Sequence, residues 1–426
     1  AVKSVSLQLS FGAVAGLLWL SPRVYRALAG EKKHGRLFSF TAASISATVG
    51  CLALTAPVSA YYFGSFAVVS FLSNLLCLWA VGIVFTGALA AVLLSFLWLP
   101  LGTVIGLVPR LFIRYILAVC HGLAALPYHG VYFCSPYLKW WMGFVYLLFA
   151  AAWLLKTGGR RKYALAAALS ILTLAVTVRA GEARFCHRLD AAAVDVGQGQ
   201  SVILKSGTEF SLVDCGSGSS WRDAGCDAAD QLLTMGCRSL DRVILTHFDD
   251  DHINGVEHLL ARMDVKTLTV PETDGPARDA VLDLAAVYGV AVETVTEETA
   301  LPFGDAELTI FPPLGTGGSN ELGLTVLATA GENDFLVTGD MERATEKKLI
   351  ETYELPELDV LMAGHHGSKN STSKELLDAV TPGTVIISVG SNSYGHPAED
   401  TLRRLARAGC AVYRTDHHGT VYLSFK

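Results

Sequence analysis

Six long apolar segments lie within the first 180 residues of this 426-residue chain, and they restrict its fold more than any other feature. Inside a bilayer every backbone polar group must be paired, so such segments cross as helices of about 20 residues. The candidate crossings are 5–20, 37–56, 77–99, 111–127, 140–155 and 163–178. The sequence therefore predicts a multi-pass α-helical membrane domain over residues 1–180.

The segment 61–76, YYFGSFAVVSFLSNLL, differs from these crossings because tyrosines and small polar residues interrupt it. Aromatic rings that carry a polar tip favour the boundary between lipid and water. We therefore expect 61–76 to form an interfacial helix, which leaves about six crossings.

Basic residues collect in alternate connections between the predicted crossings, whereas the connections 57–60 and 128–139 are nearly uncharged. The basic connections contain Arg23, Arg26, Lys32, Lys33, Arg36, Arg110, Arg114, Lys156, Arg160, Arg161 and Lys162. Because basic loops stay in the cytoplasm, the chain after Arg179 is predicted to be extracytoplasmic.

The pattern changes in residues 186–426, where short β-type runs alternate with helical patterns and nearly all of the acidic residues are found. Strand candidates include 241–246 and 334–338, and helix candidates include 226–236 and 253–262. Many strands with helices between them favour two packed sheets with helices on both outer faces. We therefore predict a second domain of the α/β class over residues 186–426.

A dense group of candidate metal ligands follows the strand candidate 241–246, in the stretch VILTHFDDDHING at 243–255. His247, Asp249, Asp251 and His252 could form a solvated acidic loop, which is common after a strand. Four such side chains repel one another or waste solvation unless a cation lies between them. Two histidines at this spacing therefore favour a dinuclear metal hydrolase.

Further candidate ligands stand directly after apolar strand candidates. Asp214 ends FSLVD, Asp340 ends FLVTGD, and His365 and His366 end VLMAGHH. Taken singly, an Asp in this position is more often a helix cap than a ligand. Their joint occurrence with the 247–252 cluster favours a shared site at one edge of the sheets.

Together these motifs resemble those of the ComEC family of bacterial competence proteins, and the resemblance covers essentially the whole chain. The motifs are QLSFGAVAG at 8–16, DVGQG at 195–199, LVDCG at 212–216, THFDDDH at 246–252, TGD at 338–340, HHGSK at 365–369 and YGHP at 394–397. The cluster also resembles the H-x-[HD]-x-D-H signature of the metallo-β-lactamase fold, with Asp249 at the second ligand position. The resemblance implies a membrane channel domain followed by a metallo-β-lactamase αββα sandwich.

The resemblance further implies two divalent metal ions, Mn²⁺ or Zn²⁺, in the second domain, and the carboxylates shift the preference toward manganese. The implied ligands are His247 and Asp249 for one ion, Asp251, His252 and His365 for the other, with Asp340 bridging the two. Asp214 and His366 are expected behind these ligands. Lys369 and His396 are candidates, beside Ser368, for phosphate contact or leaving-group protonation, with ordinary turn chemistry as the alternative for each.

Two positions depart from the family pattern. Gln200 replaces the acid that usually follows DVGQG, which places a metal or phosphate role at position 200 in doubt. No histidine occurs at 315–325, where many metallo-β-lactamases have a third ligand, and only Asn320 and Glu321 are available there.

The function implied by the resemblance is DNA uptake during natural transformation. One strand passes through a membrane channel, and an extracytoplasmic nuclease domain degrades the other. Expected partners are DNA, membrane lipid and other competence proteins, such as a DNA receptor and a cytoplasmic translocase. The expected location is the bacterial plasma (inner) membrane.

Two alternatives remain open. One is an anchored hydrolase of another phosphoester, because this fold hosts many substrates. The other is a channel whose outer domain binds DNA without cleaving it, although a binding domain has no need of an intact ligand set. The net charge of −6 neither supports nor excludes a nucleic-acid substrate.

The cysteines and the first residues lead to two smaller expectations. Among the nine cysteines, Cys226 and Cys237 are the pair to examine for a disulfide, with free thiols as the alternative. The chain begins with Ala directly before an apolar segment, so we expect a further upstream part.

Overall fold

The computed structural model describes residues 4–30, 35–63, 65–126, 130–132, 136–155, 157, 159, 161–183 and 187–425. The chain divides into two compact units, Ala1–Val178 and Arg179–Lys426.

The first unit is helical. Its elements are α1 (Val5–Ala15), a π-helical turn (Gly16–Leu20), α2 (Ser21–Ala29), α3 (Arg36–Tyr62), β1 (Ser65–Ala67), α4 (Ser70–Leu97), α5 (Leu99–Ala124), β2 (Gly130–Tyr132), α6 (Pro136–Leu154) and α7 (Arg161–Glu182). Within the described ranges, six helical stretches are long and apolar enough to cross a bilayer: Val5–Ala29, Arg36–Tyr62, Ser70–Leu97, Leu99–Ala124, Tyr137–Leu154 and Arg161–Ala180. These helices have the fold class that the apolar segments predict.

Glycines allow the π-helical turn after α1 to pack against α3 at very close range. A Cβ on Gly16 would overlap the backbone of Gly50, and a Cβ on Gly50 would overlap the carbonyl oxygen of Gly16. Both positions therefore require the absence of a side chain, which gives the glycine that ends QLSFGAVAG a packing role.

The prediction of an interfacial helix over 61–76 is wrong. Tyr61 and Tyr62 end α3, residues 65–67 form β1, and α4 begins at Ser70. β1 pairs antiparallel with β2, and Phe66 lies opposite Val131. A pairing partner so distant along the chain leaves no local pattern in the sequence, and this strand replaces the predicted helix.

The second unit contains two seven-stranded sheets. Its strands are β3 (Leu189–Ala193), β4 (Val202–Ser206), β5 (Glu209–Val213), β6 (Ser239–Ile244), β7 (Asp264–Pro271), β8 (Ala291–Val295), β9 (Thr299–Phe303), β10 (Ala306–Phe311), β11 (Thr325–Ala330), β12 (Asn333–Val337), β13 (Val360–Met362), β14 (Thr384–Ile387), β15 (Ala411–Arg414) and β16 (Val421–Phe425). The first sheet has the order β16-β3-β4-β5-β6-β7-β8, and the second has the order β15-β14-β13-β12-β11-β10-β9. In each sheet, parallel pairing begins at the centre, at β5 with β6 and at β12 with β13.

Helices cover the outer faces of both sheets. They are α8 (Ala224–Thr234), α9 (Asp250–Ile253), α10 (Val256–Leu260), α11 (Pro276–Tyr288), α12 (Arg343–Thr352), α13 (Lys374–Val380), α14 (Glu399–Ala408) and α15 (Thr415–His418). The predicted helix 253–262 is shorter and divided, because Gly255 N donates to Cys215 O at 2.8 Å. A Cβ on Gly255 would also overlap the backbone of Gly225, so the chain between α9 and α10 packs at van der Waals contact.

Strand alternation divides the interior into layers. Val202 and Leu204 of β4 belong to the apolar core between the sheets, together with Phe335 of β12. Ile203 points the other way and packs with α8 and α11. A third core lies between the second sheet and α12, α13 and α14. Since alternate residues of a strand face opposite sides, this arrangement is the predicted αββα sandwich.

The two cysteines singled out in the sequence are separate thiols. Cys226 is half-buried on α8, Cys237 is buried after it, and both are free. The Cys237 sulfur points to the backbone oxygen of Ser239 at 3.4 Å rather than toward α8. The structure therefore agrees with the alternative, in which Cys226 and Cys237 are two free thiols.

Candidate metal centre

The turn after β6 provides the first donors of the site. His247 is buried, and its Nδ1 lies 3.0 Å from Thr246 Oγ1, so its Nε2 faces the other donors. The short helix α9 follows, and its first turn contains Asp251 and the fully buried His252. The rings of His247 and His252 lie 4.1 Å apart between centroids. A strand, a tight turn and one helical turn therefore bring three donors to one point.

Asp214, directly after β5, holds this turn in place. Its carboxylate accepts hydrogen bonds from Thr246 N at 2.7 Å and Thr246 Oγ1 at 2.8 Å, and it lies 2.7 Å from His252 Nδ1. With Nδ1 paired in this way, Nε2 of His252 is the ring nitrogen turned toward the site. Asp214 has a φ of 60°, a left-handed conformation that aspartate tolerates better than most residues.

The second sheet contributes Asp340 and His366 to the same edge. Asp340 follows β12, and its Oδ1 lies 3.2 Å from His252 Nε2. His366 lies in the turn after β13, where its Nδ1 contacts the carbonyl oxygen of Ser388 at 2.9 Å. Its Nε2 lies 3.3 Å from Asp251 Oδ2 and 3.9 Å from Asp340 Oδ2. Both sheets therefore supply donors to one centre.

The donors form two overlapping groups, one with His247, His252 and Asp340 and the other with Asp251, His252 and His366. Among the described residues, the Nε2 atoms of His247, His252 and His366 and Oδ1 of Asp340 are buried without a hydrogen-bond partner. Buried polar atoms left unpaired cost free energy, and a cation between them removes that cost. Imidazole and carboxylate donors in this number fit divalent metal ions.

The carboxylates and imidazoles of the centre shift one another's pKa. Burial opposes the charge on His252, yet the carboxylates of Asp340 and Asp214 hold its pKa well above the usual value. Burial also opposes the charge on Asp340, but the imidazoles of His252 and His366 keep its pKa well below the usual value. Burial and the neighbouring His252 lower the pKa of His247 to about 4. An ionised Asp340 and a neutral His247 are the forms that bind a cation.

The two adjacent histidines take different positions in the structure, and the choice of His365 as the ligand stays a prediction. His365 was predicted as the ligand, but its Nε2 lies 3.6 Å from Asp340 Oδ2 and its side chain is 26% exposed at the mouth of the centre. His366, predicted to lie behind the ligands, belongs to the second donor group. Both residues have left-handed backbone angles, with φ of 50° and 53°, and this turn directs His366 inward.

Neither Asp249, the remaining predicted ligand, nor Glu321, which stands where a third histidine is common, belongs to the two donor groups. Asp249 is 44% exposed, with its Oδ2 at 3.7 Å from His247 Nε2. Glu321 does not reach the donors, because its carboxylate accepts hydrogen bonds from Glu342 N and Thr345 Oγ1 at the start of α12. The carboxylate of Glu321 therefore stabilises α12 and does not replace a third histidine.

The candidates for phosphate contact differ in exposure and in their surroundings. The Lys369 side chain is exposed, while Ser368 is buried and its Oγ accepts from Asn370 N at 3.3 Å. The His396 ring lies 5.5 Å from the His365 ring, and its Nδ1 is buried without a partner in the described part of the chain. Ser368 therefore stabilises its own turn, which was the alternative to phosphate contact. The His396 ring, in contrast, lies next to His365 at the centre.

Sequence reasoning missed the role of Gln200. Its side chain is buried, and Nε2 donates to Asp214 Oδ2 at 2.8 Å. Its backbone N also donates to Asp251 O at 3.1 Å. The replacement of an acid by an amide directly after DVGQG was the available signal, since an amide can donate to a buried carboxylate and an ionised acid cannot.

Comparison with known proteins agrees with this architecture. Residues 1–158 match the family described as Competence protein, and residues 194–391 match the Metallo-beta-lactamase superfamily. A solved structure, the metallo-beta-lactamase fold protein YhfI from Bacillus subtilis, is 13% identical, with a TM-score of 0.41 over 55% of this chain and 100% of that chain.

Curated relatives match just over half of this chain. ComE operon protein 3 of Bacillus subtilis is 33% identical in an alignment of 252 residues that covers 55% of this chain and 32% of the relative. Recombination protein 2 of Haemophilus influenzae is 32% identical over 54% of this chain and 28% of the relative. Competence protein ComA of Neisseria gonorrhoeae is 29% identical over 53% of this chain and 31% of the relative. The chain therefore spans about a third of the length of each relative.

The fold and the donor set define a metallo-β-lactamase-fold protein, a fold that implies divalent metal ions. The apolar helices of the first unit and its competence domain make the chain a membrane protein. The chain therefore combines a region that matches the Competence protein family with a region that matches the Metallo-beta-lactamase superfamily, and it is similar to relatives that include competence proteins.

Proposed function

We propose that this protein acts in bacterial DNA uptake, with its second unit as a metal-dependent nuclease outside the cytoplasm. In this proposal, the membrane unit conducts one strand and the nuclease hydrolyses the other. The observation that carries the nuclease assignment is the convergence of buried, unpaired donor atoms from both sheets at one edge. A domain that only binds DNA has no need to bury such a set, because burying unpaired polar atoms is costly.

The two donor groups would hold two divalent cations. His247 and Asp340 would bind one, and Asp251 and His366 would bind the other, while the single free lone pair on His252 Nε2 would serve one of the two. Such a pair of cations neutralises a phosphodiester oxygen and makes water a better nucleophile. The protein itself orients the donors, since Asp214 fixes the His252 ring and the carbonyl of Ser388 fixes the His366 ring.

The mouth of the centre would position the substrate. His365 and His396 lie on the open side of Asp340, where either ring nitrogen can donate a hydrogen bond to a phosphate oxygen or a proton to the leaving oxygen. The Lys369 side chain is exposed three residues after His366, and it could supply a positive charge to the backbone of the strand. The relatives named as competence proteins support DNA as this substrate.

The substitution Asp340→Asn tests the proposal, with Asp334→Asn as its matched control. Asp340 offers a carboxylate oxygen to the centre, whereas Asp334 on β12 is also buried but bonds Thr329 at the surface side of its sheet. We expect Asp340→Asn to lower the metal content of the purified chain and to reduce DNA cleavage by orders of magnitude. Asp334→Asn should retain both.

The measurements are metal content by elemental analysis and cleavage of single- and double-stranded DNA with added Mn²⁺ or Zn²⁺. Parent-like metal content and cleavage in Asp340→Asn would contradict the two-metal nuclease. DNA binding without cleavage by the parent protein would favour the binding alternative, and cleavage of another phosphoester alone would favour the anchored hydrolase.

A further inference from the structure

The loop Gly390–Pro397 follows β14 and has a shape fixed by one side chain. Asn392 Nδ2 donates to Gly390 O at 2.9 Å and to His396 O at 2.8 Å. Its Oδ1 accepts from Tyr394 N at 3.1 Å and from His396 N at 3.0 Å. Four hydrogen bonds from a single amide therefore hold the backbone that presents Tyr394 and His396.

The same loop is fastened at both ends to segments that carry or support the donors. At its start, Gly390 N donates to Gln198 Oε1 at 3.4 Å, and a Cβ on Gly390 would overlap the backbone of Gly197. At its end, Ala398 N donates to Gly367 O at 2.9 Å, next to His366. The position of the loop relative to the metal donors is therefore well defined.

A series of rings leads from solvent to the donors along this loop. The Tyr394 side chain is 75% exposed, and its ring lies 6.0 Å from the His396 ring with 36° between the planes. The His396 ring lies 5.5 Å from the His365 ring, and His365 Nε2 lies 3.6 Å from Asp340 Oδ2. A flat group stacked on Tyr394 would therefore lie on the solvent side of the donors, with the His396 and His365 rings between it and Asp340.

A single exposed aromatic residue is ordinary on a protein surface. Tyr394 differs because Asn392 fixes its backbone. Its ring is also the outermost of the three neighbouring rings, Tyr394, His396 and His365, that lead to Asp340. A ring that projects from a fixed backbone loses less conformational entropy, when a ligand stacks on it, than a ring on a mobile loop. Nucleobases stack on such rings with little dependence on sequence, because every base has a flat face.

We propose that Tyr394 is a stacking residue for a nucleobase of a single-stranded nucleic acid, next to the phosphodiester that enters the metal centre. This inference rests on the proposed nuclease function and adds a requirement for an unpaired base. In a duplex both faces of each base are covered by its neighbours, so a base must leave the stack before Tyr394 can contact it. Tyr394 would therefore make the site prefer single strands and frayed ends.

The test uses the whole chain in detergent and two oligonucleotides of one length. One has ordinary bases throughout, and the other has abasic residues flanking the cleaved phosphodiester. The variants are Tyr394→Ala and Tyr394→Phe, which removes only the hydroxyl group. Tyr288→Ala is the matched control, because Tyr288 is also an exposed tyrosine but ends α11, which supplies no donor to the centre.

For the ordinary strand, we expect Tyr394→Ala to raise KM by about 5- to 150-fold, the equivalent of about 1–3 kcal/mol for one stacked base. The value of kcat should change much less. Tyr394→Phe and Tyr288→Ala should match the parent. On the abasic strand, the parent and Tyr394→Ala should have the same KM.

A parent-like KM of Tyr394→Ala on the ordinary strand would overturn the inference, and so would an equal rise on both strands. Fluorescence anisotropy with the same oligonucleotides separates the inference from the nuclease proposal. If the parent protein binds but does not cleave, the nuclease proposal fails, while the dissociation constants of the parent and the variants still decide the stacking role.

Discussion

The substitution Gln200→Leu should weaken metal binding without touching a metal donor. Gln200 Nε2 donates to Asp214 Oδ2 at 2.8 Å, and the same oxygen lies 2.7 Å from His252 Nδ1. Gln200 and Asp214 are 2% and 0% exposed, so water cannot replace the lost donor easily. Leucine has a similar volume, and the change therefore removes the hydrogen bond while largely keeping the packing.

Two independent estimates of the effect agree. A hydrogen bond to a charged group contributes about 1.5–3 kcal/mol, and Asp214 would retain its two bonds from Thr246 and its contact with His252. Removing a partner that orients a metal-binding imidazole weakens metal affinity about 10- to 100-fold, or about 1.4–2.7 kcal/mol. We therefore expect a 10- to 100-fold rise in the dissociation constant for the metal.

The assay is competition between the purified chain and a chelating dye, which measures metal affinity directly. Gln198→Met is the matched control, because Gln198 is also buried but its amide oxygen accepts from Gly390 N rather than contacting Asp214. Parent-like affinity in Gln200→Leu would refute the reasoning. Equal weakening in both variants would also refute it, since any buried amide of this loop would then have the same effect.

The remaining predictions concern topology and stability. In intact cells of a variant without reactive native thiols, a membrane-impermeant thiol reagent should label Glu182→Cys but not Gly158→Cys, because the basic loops are expected in the cytoplasm; the reverse pattern would place the second unit in the cytoplasm. Glu346→Ala should destabilise the second unit by about 2 kcal/mol or more, because the buried carboxylate accepts hydrogen bonds from Thr372 N and Ser373 N, which would both lose their partner. Urea unfolding measures this loss, and a change below about 0.5 kcal/mol, typical of a surface substitution, would contradict the assigned bonds.

The sequence predicts the layers of the second unit because alternation and strand-helix order are local patterns. Strand β4 is an example, because successive side chains of a strand point to opposite faces of the sheet. Val202 and Leu204 therefore lie in the core between the sheets, and Ile203 lies in the core under the helices. Strand β9 was not predicted, because its sequence TALPF is short and contains Pro302, and proline is unfavourable within a strand. Its pairing with β10 supplies the missing stability.

The centre is less predictable than the layers, because its details depend on contacts between distant parts of the chain. The sequence places candidate ligands at strand ends and favours His365 as the ligand, whereas the structure places His366 among the buried donors. The inward position of His366 depends on its left-handed backbone conformation. It also depends on the carbonyl oxygen of Ser388, which directly follows β14. Gln200 was missed for a similar reason, since its partner Asp214 lies across the β4–β5 hairpin.

The division of donors between the sheets links metal binding to the final stage of folding. His247, Asp251 and His252 follow a strand of the first sheet, whereas Asp340 and His366 follow strands of the second. Neither sheet alone can assemble either donor group, so high affinity arises only after the sheets have docked. A bound ion then connects the two sheets. It raises the free energy of unfolding by about 2.7 kcal/mol when its free concentration is 100 times its dissociation constant.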